Sequence, residues 1–258
     1  MNYIGIDIGS TCAKTVVLNE KKELILEFVQ PTGWSSVDTA EEIHQKLQLA
    51  GINLSDDSSC CVATGYGRIS VPYADKTVTE ITCHALGAVH LFQHPDLTVI
   101  DIGGQDTKII QIEQGFVKDF IMNDKCAAGT GRFLEVMANT LSLRPNEMFD
   151  LARLGSDTTI SSMCTVFAES EVIGLIGKGE PKENIAYAVV NSTIRKVAAQ
   201  VSRMNGEMFT FCLTGGLCEC DYIREALSKE LGKDVFSCPD ARYAGAIGAA
   251  LSAMKIRK

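Results

Sequence analysis

Two segments of the chain repeat one layout, and this repeat constrains the fold more than any other feature. Residues 3–18 (YIGIDIGSTCAKTVVL) and 97–112 (LTVIDIGGQDTKIIQI) each contain an apolar run, Asp-Ile-Gly, four small or polar residues, a lysine and a second apolar run. β-branched runs favour strands, and glycine favours a tight turn between them. The repeat therefore predicts two similar lobes, each built on a β-hairpin.

Helical patterns lie between and after the two hairpins. Strands that alternate with helices are typical of an α/β protein. We predict a first lobe of residues 1–95 with 245–258 and a second lobe of residues 96–244. The predicted helices are residues 39–50, 79–93, 131–141, 167–177, 184–204 and 221–231.

The two glycine turns suit a phosphate group. Because glycine has no side chain, backbone N–H groups in such a turn can converge on an anion. Ser10 and Thr11 add hydroxyl donors, and Lys14 adds a positive charge. Asp7 and Asp101, each at the end of a first strand, can hold Mg²⁺ through its waters. The turn glycines are Gly9, Gly103 and Gly104. A nucleotide triphosphate fits this pattern, and ordinary hairpins with acidic turns are the alternative.

A third glycine element follows in FCLTGGLCECDYIREAL, where a strand-like run ends in Thr214, Gly215 and Gly216 before a predicted helix. Its glycines would let a flat adenine approach the backbone, although Gly-Gly links between strands and helices are common. In this order the three elements resemble the actin, Hsp70 and sugar-kinase superfamily of ATP-binding proteins. The resemblance implies two ribonuclease-H-like lobes with a nucleotide cleft between them.

Two other segments place a cysteine ahead of a predicted helix: Cys126 in NDKCAAGTGRFLEV and Cys164 in SSMCTVFAESEVIGLIGKG. Unpaired N–H groups and the helix dipole favour negative charge there, so a thiolate and an anionic iron–sulfur cluster would both be stabilised. A [4Fe–4S] cluster takes four thiolates, which a two-fold dimer could supply from two cysteines per subunit. The two residues do not form a CxxC unit, so two buried structural cysteines are the alternative.

These cysteine segments, together with ATGYGR, the following ADK and DIGGQDTK, resemble the activator component of 2-hydroxyacyl-CoA dehydratases over essentially the whole chain. Members of that family are sometimes called archerases. The resemblance implies a homodimer with one bridging [4Fe–4S] cluster. Such a dimer uses ATP, with release of ADP, to deliver one electron at very low potential to a partner iron–sulfur enzyme. It also implies ferredoxin or flavodoxin as the electron donor.

The resemblance assigns roles to individual residues. Cys126 and Cys164 match the cluster ligands. Gln105 is a candidate for orienting the attacking water, because an uncharged amide can both donate and accept a hydrogen bond. The matching nucleotide contacts are Gly9, Ser10, Thr11, Cys12, Ala13, Lys14, Gly103, Gly104, Gln105, Gly215 and Gly216, and more loosely Glu135 and Arg242. Cys12 stands where another small residue would serve equally well, so its side chain receives no role.

Composition excludes several classes of protein. A formal net charge of -8 and a pI near 5.1 argue against nucleic-acid binding. The first residues lack the pattern of a signal peptide, and the apolar segment GAIGAALSAM has about half the length of a membrane span. We therefore predict a cytoplasmic protein with no membrane contact. Ten cysteines in such a protein are not expected to form a disulfide framework.

The remaining features have structural interpretations or none. Packing is predicted for Cys60, Cys61, Cys83, His84, Cys218 and Cys220. The TGYGR stretch, Thr64–Arg68, fits a plain turn as well as a nucleotide or partner contact, and Trp34 supports no assignment.

Two further functions stay open. The same electron donor could serve a double-cubane-cluster protein or a benzoyl-CoA-reductase-like enzyme. A small-metabolite kinase of the same superfamily would use Asp101 or a nearby carboxylate as a base. The chain is short for such a kinase and lacks an obvious extra segment for the substrate.

Overall fold

The computed structural model of the chain describes residues 1–54, 56–161, 164–204 and 209–256. Its internal contacts divide the chain into two compact units. Unit 1 comprises Met1–Leu97, Ile110–Lys118 and Cys238–Lys258, and unit 2 comprises Thr98–Ile109 and Asp119–Ser237. The lobe boundaries given by the sequence stay a prediction.

The first sheet is mixed and has five strands in the order β3-β2-β1-β4-β5. They are β1 (Asn2–Ile8), β2 (Cys12–Leu18), β3 (Leu24–Pro31), β4 (Ser59–Thr64) and β5 (Lys76–Thr77). The predicted hairpin is confirmed: β1 and β2 are antiparallel, with Asp7 opposite Lys14. β4 lies parallel to β1 on its other side and places Thr64 opposite Asp7. Strand β3 was not predicted; it is an edge strand with mostly exposed or half-buried side chains, so its core pattern is weak.

The second sheet repeats this arrangement in the order β10-β9-β6-β7-β8. Its strands are β6 (Leu97–Ile102), β7 (Thr107–Glu113), β8 (Phe116–Asn123), β9 (Thr210–Gly215) and β10 (Val235–Phe236). As in the first sheet, the earliest strand is central, the second and third lie to one side, and the fourth and fifth lie to the other. The sequence repeat therefore corresponds to the first two strands of a repeated five-stranded sheet. The predicted α/β class is confirmed.

In the part of the chain that the structure describes, eight α-helices accompany the sheets. They are α1 (Ser36–Leu49), α2 (Glu80–Phe92), α3 (Gly131–Thr140), α4 (Pro145–Ala152), α5 (Thr165–Gly177), α6 (Lys182–Val201), α7 (Asp221–Leu231) and α8 (Ala244–Ala253). Six of them lie where the periodicity predicts helices, whereas α4 and α8 were not predicted. Short 3₁₀ helices occupy Arg68–Ser70 and Pro239–Tyr243. Across the described ranges, no helix combines the length and apolarity that a membrane crossing needs.

Helix α8 is made mostly of small residues because it packs against its neighbours backbone to backbone. All ten of its residues are buried. A Cβ atom added to Gly5 of β1 would overlap the carbonyl of Ala246, and one added to Gly87 of α2 would overlap that of Ala244. A Cβ on Gly248 would likewise overlap the carbonyl of Cys83. These contacts fix α8 between β1 and α2 at a separation that only glycine permits.

The two cysteines of β4, and Cys218 just after β9, behave as small apolar residues. Cys60 and Cys61 in β4 are 0% and 1% exposed, which confirms their predicted role in packing. Burial raises the pKa of the Cys61 thiol, so this residue stays protonated and unreactive. Cys218 is buried near the end of β9, and its carbonyl accepts a hydrogen bond from the Ser237 hydroxyl at 2.9 Å.

Candidate functional site

The first glycine turn joins β1 to β2 in unit 1. Gly9 closes it by donating its N–H to the carbonyl of Cys12 at 3.1 Å, and Ser10 and Thr11 are exposed at its tip. Thr32, just after β3, holds both sides of the turn. Its hydroxyl donates to the Gly9 carbonyl at 2.7 Å, and its N–H donates to the Thr11 carbonyl at 2.9 Å. The tip is thus open to a ligand while its base is fixed.

Asp7, one residue before the end of β1, is 3% exposed. Gly65 follows β4 with a φ of 84° and presses against Asp7; a Cβ there would overlap Asp7 Oδ1 and lie 2.6 Å from the Ile8 carbonyl oxygen. On the other side, Gly245 of α8 lies beside Asp7 Oδ2 and His84 Nε2. The carboxylate is therefore confined between two glycines, because neither position has room for a side chain.

The second turn, residues 103–106, belongs to unit 2 and is closed by the Gly103 N–H, which donates to the Asp106 carbonyl at 2.9 Å. Two of its carbonyls face the first turn of α3. Gly131 donates its N–H to the Gly103 carbonyl at 2.9 Å, and Arg132 donates to the Gly104 carbonyl at 2.7 Å. The turn and the helix are therefore joined directly. Gln105 is exposed within this turn.

Asp101, in β6, is 2% exposed and lies in a network of polar groups. Lys108 Nζ is 3.5 Å from Asp101 Oδ2 and 2.8 Å from Asp106 Oδ2. The hydroxyl of Thr214 donates to Asp101 Oδ1 at 3.0 Å. Gly215, with a φ of 84°, packs on the same carboxylate: a Cβ there would lie 2.7 Å from Asp101 Oδ1 and 2.6 Å from the Ile102 carbonyl oxygen. The Thr-Gly pair at the end of β9 thus positions Asp101.

Cys126 lies in the segment between β8 and α3, and it is an exposed free thiol. Asn123 fixes this segment, because its side-chain amide donates to the carbonyls of Cys126 at 2.8 Å and Ala128 at 3.0 Å. The Thr107 hydroxyl donates a hydrogen bond to the Gly129 carbonyl at 2.6 Å. From the sequence, unpaired N–H groups at the start of α3 were expected to stabilise a Cys126 thiolate. In the structure the first two of these groups donate to the second turn, so they do not face the thiol.

Cys164 is the N-terminal cap residue of α5 and is also an exposed free thiol. Its carbonyl accepts a hydrogen bond from the Ala168 N–H at 2.8 Å, while its side chain caps nothing. Helix α5 is joined to α3 by the Thr140 hydroxyl, which is 3.2 Å from Glu169 Oε1. Both cysteines are therefore accessible and lie in unit 2 on segments that lead into adjacent helices.

An apolar surface covers one side of α5. Its large exposed side chains are Val166, Phe167, Ile173 and Ile176, which are 67%, 66%, 57% and 46% exposed. Gly174 and Gly177 lie on the same helix with nothing within 4 Å of an added Cβ. A helix with so much exposed apolar surface is typical of an interface between proteins.

The other predicted contact residues lie at different places. Ala13 is buried inside β2, and Cys12 and Lys14 are half-buried. Glu135 is exposed on α3 and forms an ion pair with Arg132 at 2.8 Å. Arg242 lies in the second 3₁₀ helix, where its charge opposes the raised pKa of the Glu27 carboxyl. Gly216 follows Gly215 with open space around its Cα.

Three site residues were missed at the level of sequence or given no ligand role: Thr32, His84 and Gly245. Gly65 lies in the TGYGR stretch, for which a plain turn and a nucleotide or partner contact both stayed open. For Gly65 a signal was present. Thr64-Gly65 ends β4 as Thr214-Gly215 ends β9, and both glycines have the same φ and pack on the aspartate of the neighbouring central strand. The TGYGR stretch is thus the counterpart of the TGG element. No comparable pattern marks Thr32 or Gly245, because their contacts cross the sheet and depend on packing.

Two five-stranded sheets of one order, each opened by an Asp-Ile-Gly hairpin, define an α/β fold of the actin, Hsp70 and sugar-kinase type. Within that fold the chain belongs to the BadF/BadG/BcrA/BcrD ATPase family, which matches residues 4–253.

Three similar proteins illustrate the relationship. The (R)-2-hydroxyglutaryl-CoA dehydratase activating ATPase of Acidaminococcus fermentans is 43% identical over 98% of this chain and 96% of its own length. The crystal structure of the A. fermentans (R)-2-hydroxyglutaryl-CoA dehydratase component A superposes with a TM-score of 0.92 at 40% identity, covering 100% of both chains. The activator of the 2-hydroxyisocaproyl-CoA dehydratase from Clostridium difficile, with bound ADPNP, gives a TM-score of 0.89 at 34% identity and covers 99% of this chain and 95% of that one.

Proposed function

We propose that the protein is an ATP-dependent one-electron donor that activates a partner iron–sulfur enzyme, most plainly a 2-hydroxyacyl-CoA dehydratase. Family membership and the full-length likeness to dehydratase activators support the ATPase part of this proposal. The alternative acceptor is a benzoyl-CoA-reductase-like or double-cubane-cluster protein. The protein is proposed to act in the cytoplasm, with ferredoxin or flavodoxin as its electron donor.

The observation that carries the proposal is the link between the second turn and Cys126. The carbonyls of Gly103 and Gly104 hold the N–H groups of Gly131 and Arg132, and the segment just before α3 contains Cys126. A change in the turn on binding or hydrolysis of a phosphate would therefore move the start of α3 and the thiol segment behind it. Networks of hydrogen bonds between rigid elements can carry coupling of this kind, and these hydrogen bonds form such a link.

The donor groups of Cys126 and Cys164 fit a [4Fe–4S] cluster. Both are accessible free thiols, and thiolates are the usual ligands of such a cluster. One chain supplies two of the four ligands, so we propose that a second copy supplies the others about a two-fold axis. The exposed apolar side of α5, which begins at Cys164, supports this homodimer, since association would bury Val166 and Phe167. When bound, the cluster would accept one electron from the donor and pass one to the partner.

The nucleotide would be held by the glycine turns. We propose that the exposed Ser10 and Thr11 with Lys14 contact phosphate and that Gly215 and Gly216 contact the adenosine. Asp7 in unit 1 and Asp101 in unit 2 are each proposed as a carboxylate that could hold Mg²⁺ through its waters. For a one-electron couple, about 1.4 kcal/mol of differential stabilisation shifts the potential by roughly 59 mV. A few kcal/mol of coupling is therefore useful but modest, and complex formation with the partner must contribute as well.

Anaerobic purification followed by iron and sulfide analysis, EPR and an ATPase assay tests the proposal. We expect about four irons per dimer by the stoichiometry of the cluster, with loss of iron in Cys126→Ala and in Cys164→Ala. Cys220→Ala is the matched control, because Cys220 also caps a helix, α7, but is half-buried and its pKa is raised by burial. Iron retained by both ligand variants, or an iron-free wild-type protein that phosphorylates a sugar, would overturn the proposal.

Gln105 is proposed to orient the water that attacks the γ-phosphate. It is exposed in the second turn, next to the glycines that hold α3. Gln105→Ala is expected to lower the ATPase kcat while iron content stays unchanged. Undiminished ATPase activity in this variant would remove the role.

A further inference from the structure

His84 and Asp7 converge on one point in unit 1. A Cβ atom built on Gly245 would lie 2.5 Å from Asp7 Oδ2 and 3.0 Å from His84 Nε2. Both side chains are 3% exposed. Two buried polar groups that flank the same glycine are close to each other and far from bulk water. Their relative placement is therefore a built feature of the fold.

The backbone fixes this placement closely. His84 lies on α2 and Gly245 on α8, and the two helices meet through Gly87 and Gly248, where any side chain would overlap a carbonyl of the opposite helix. Asp7 lies on β1, which packs on α8 through Gly5 in the same way. Three close backbone contacts therefore fix the positions of β1, α2 and α8, which carry Asp7, His84 and Gly245, relative to one another.

The two oxygens of Asp7 have different surroundings. Oδ1 lies against Gly65, and Oδ2 faces Gly245 and His84. Asp7 also influences the neighbouring Cys83: burial, and to a smaller extent the negative charge of Asp7, raise the pKa of that thiol to about 12. Cys83 is therefore a neutral neighbour. His84 Nε2 and Asp7 Oδ2 both lie against Gly245, and a ring nitrogen of His84 also lies within 4.8 Å of a Glu80 carboxylate oxygen.

We infer that His84 is a positioning residue for Asp7, in which Nε2 fixes the rotation of the carboxylate through Oδ2 and leaves Oδ1 directed for its task. The sequence assigned His84 to packing alone. The inference rests on the proposed function, in which Asp7 serves the hydrolysis of ATP. It adds a specific group that holds a carboxylate in the orientation it needs, as residues behind metal-binding carboxylates commonly do.

Two substitutions, each of which places an amide nitrogen near the position of one ring nitrogen of His84, test this role. In Gln, the side-chain amide nitrogen reaches about as far as Nε2, whereas in Asn it stands near the position of Nδ1. We expect His84→Asn and His84→Ala to lower the ATPase kcat by roughly 10–100-fold with little change in the KM for ATP, the range seen when such supporting groups are removed. His84→Gln should keep most of the activity, and added imidazole should partly restore His84→Ala.

The matched control is His90→Gln, because His90 lies on the same helix and is only half-buried. Thermal melting of each variant separates loss of fold from loss of positioning. Equal kcat values for His84→Gln and His84→Asn in folded proteins, or wild-type kcat in His84→Ala, would overturn the inference. A wild-type protein without ATPase activity would instead defeat the proposed function, so the two failures are distinguishable.

Discussion

The two Asp-Ile-Gly turns have the same spacing of aspartate and lysine, yet their lysines differ. In the second turn Lys108 is 1% exposed and pairs with both Asp101 and Asp106. In the first turn Lys14 is half-buried, and the ion pairs found among the described residues do not include it. One charge is neutralised inside the fold, and the other remains available to an anion. The lysine of the repeat therefore serves structure in the second unit and suits a ligand in the first.

The two aspartates, in contrast, have the same kind of glycine contact. Each is held by a glycine with a φ of 84°, Gly65 for Asp7 and Gly215 for Asp101, and each glycine follows a threonine at the end of a parallel strand. The repeat keeps its carboxylates and their glycine supports, whereas the side chains that surround them differ between the two turns. Substitutions at the lysines, at the glycines and at Glu27 test this contrast between the turns and their surroundings.

The largest effect should come from Lys108→Met. Removing this lysine leaves Asp101 and Asp106 without their cation, and loss of one partner of a buried pair costs about 3–5 kcal/mol. Lys14→Met should change the free energy of unfolding by less than about 1 kcal/mol, as expected for a position that is not fully buried. Urea denaturation of both variants measures the difference. Equal destabilisation by the two substitutions would contradict the contrast between the lysines.

The second prediction concerns the shared glycines. Gly65→Ala and Gly215→Ala should each destabilise the protein by roughly 2–4 kcal/mol, because alanine is strained at a positive φ and its Cβ would press on an aspartate and a carbonyl. Gly51→Ala and Gly232→Ala are matched controls, since both glycines have a positive φ but open space around them. Their cost should be near 1 kcal/mol. A control as damaging as Gly215→Ala would mean that backbone strain alone explains the effect.

The smallest effect is expected from the charge of Glu27 in unit 1. Burial and the nearby Asp240 carboxylate raise the pKa of Glu27 above its ordinary value, and Arg242 opposes this only partly. The protonated form is thus favoured by folding. The stability that Glu27 contributes is present below pH 4.5 and is lost as pH rises through its raised folded pKa.

Glu27→Gln should therefore flatten the dependence of stability on pH above 4.5. The gain at neutral pH should be no more than about 0.5 kcal/mol, because a half-buried carboxyl is screened by solvent. Melting temperatures of the two proteins between acid and neutral pH provide the measurement. A variant that becomes less stable than wild type as pH rises would show the opposite sign.

The hairpins and most helices could be predicted from sequence because their signals are local. Alternating apolar residues define β1 and β2, and helical spacing defines α3 and α7. Helix α8 was not predicted because its residues are mostly small and all of them are buried. It therefore has no polar face, and its sequence lacks the alternation of apolar and polar residues that marks a helix. The N–H groups at the start of α3 were expected to face Cys126, but the carbonyls of the second turn accept them. Such a partner is far away in the sequence and only packing reveals it.

By itself the sequence determined the repeat, the two turns, the order of the motifs along the chain and the two cysteine segments. Each of these features is encoded by residues that are close together in the sequence. The tertiary structure alone decided which lysine is neutralised, which glycines confine the aspartates, and that His84 faces Asp7 across Gly245. The physical reason is that burial and close backbone approach depend on elements brought together by folding. Identical spacing along the chain therefore leads to different electrostatic environments in space.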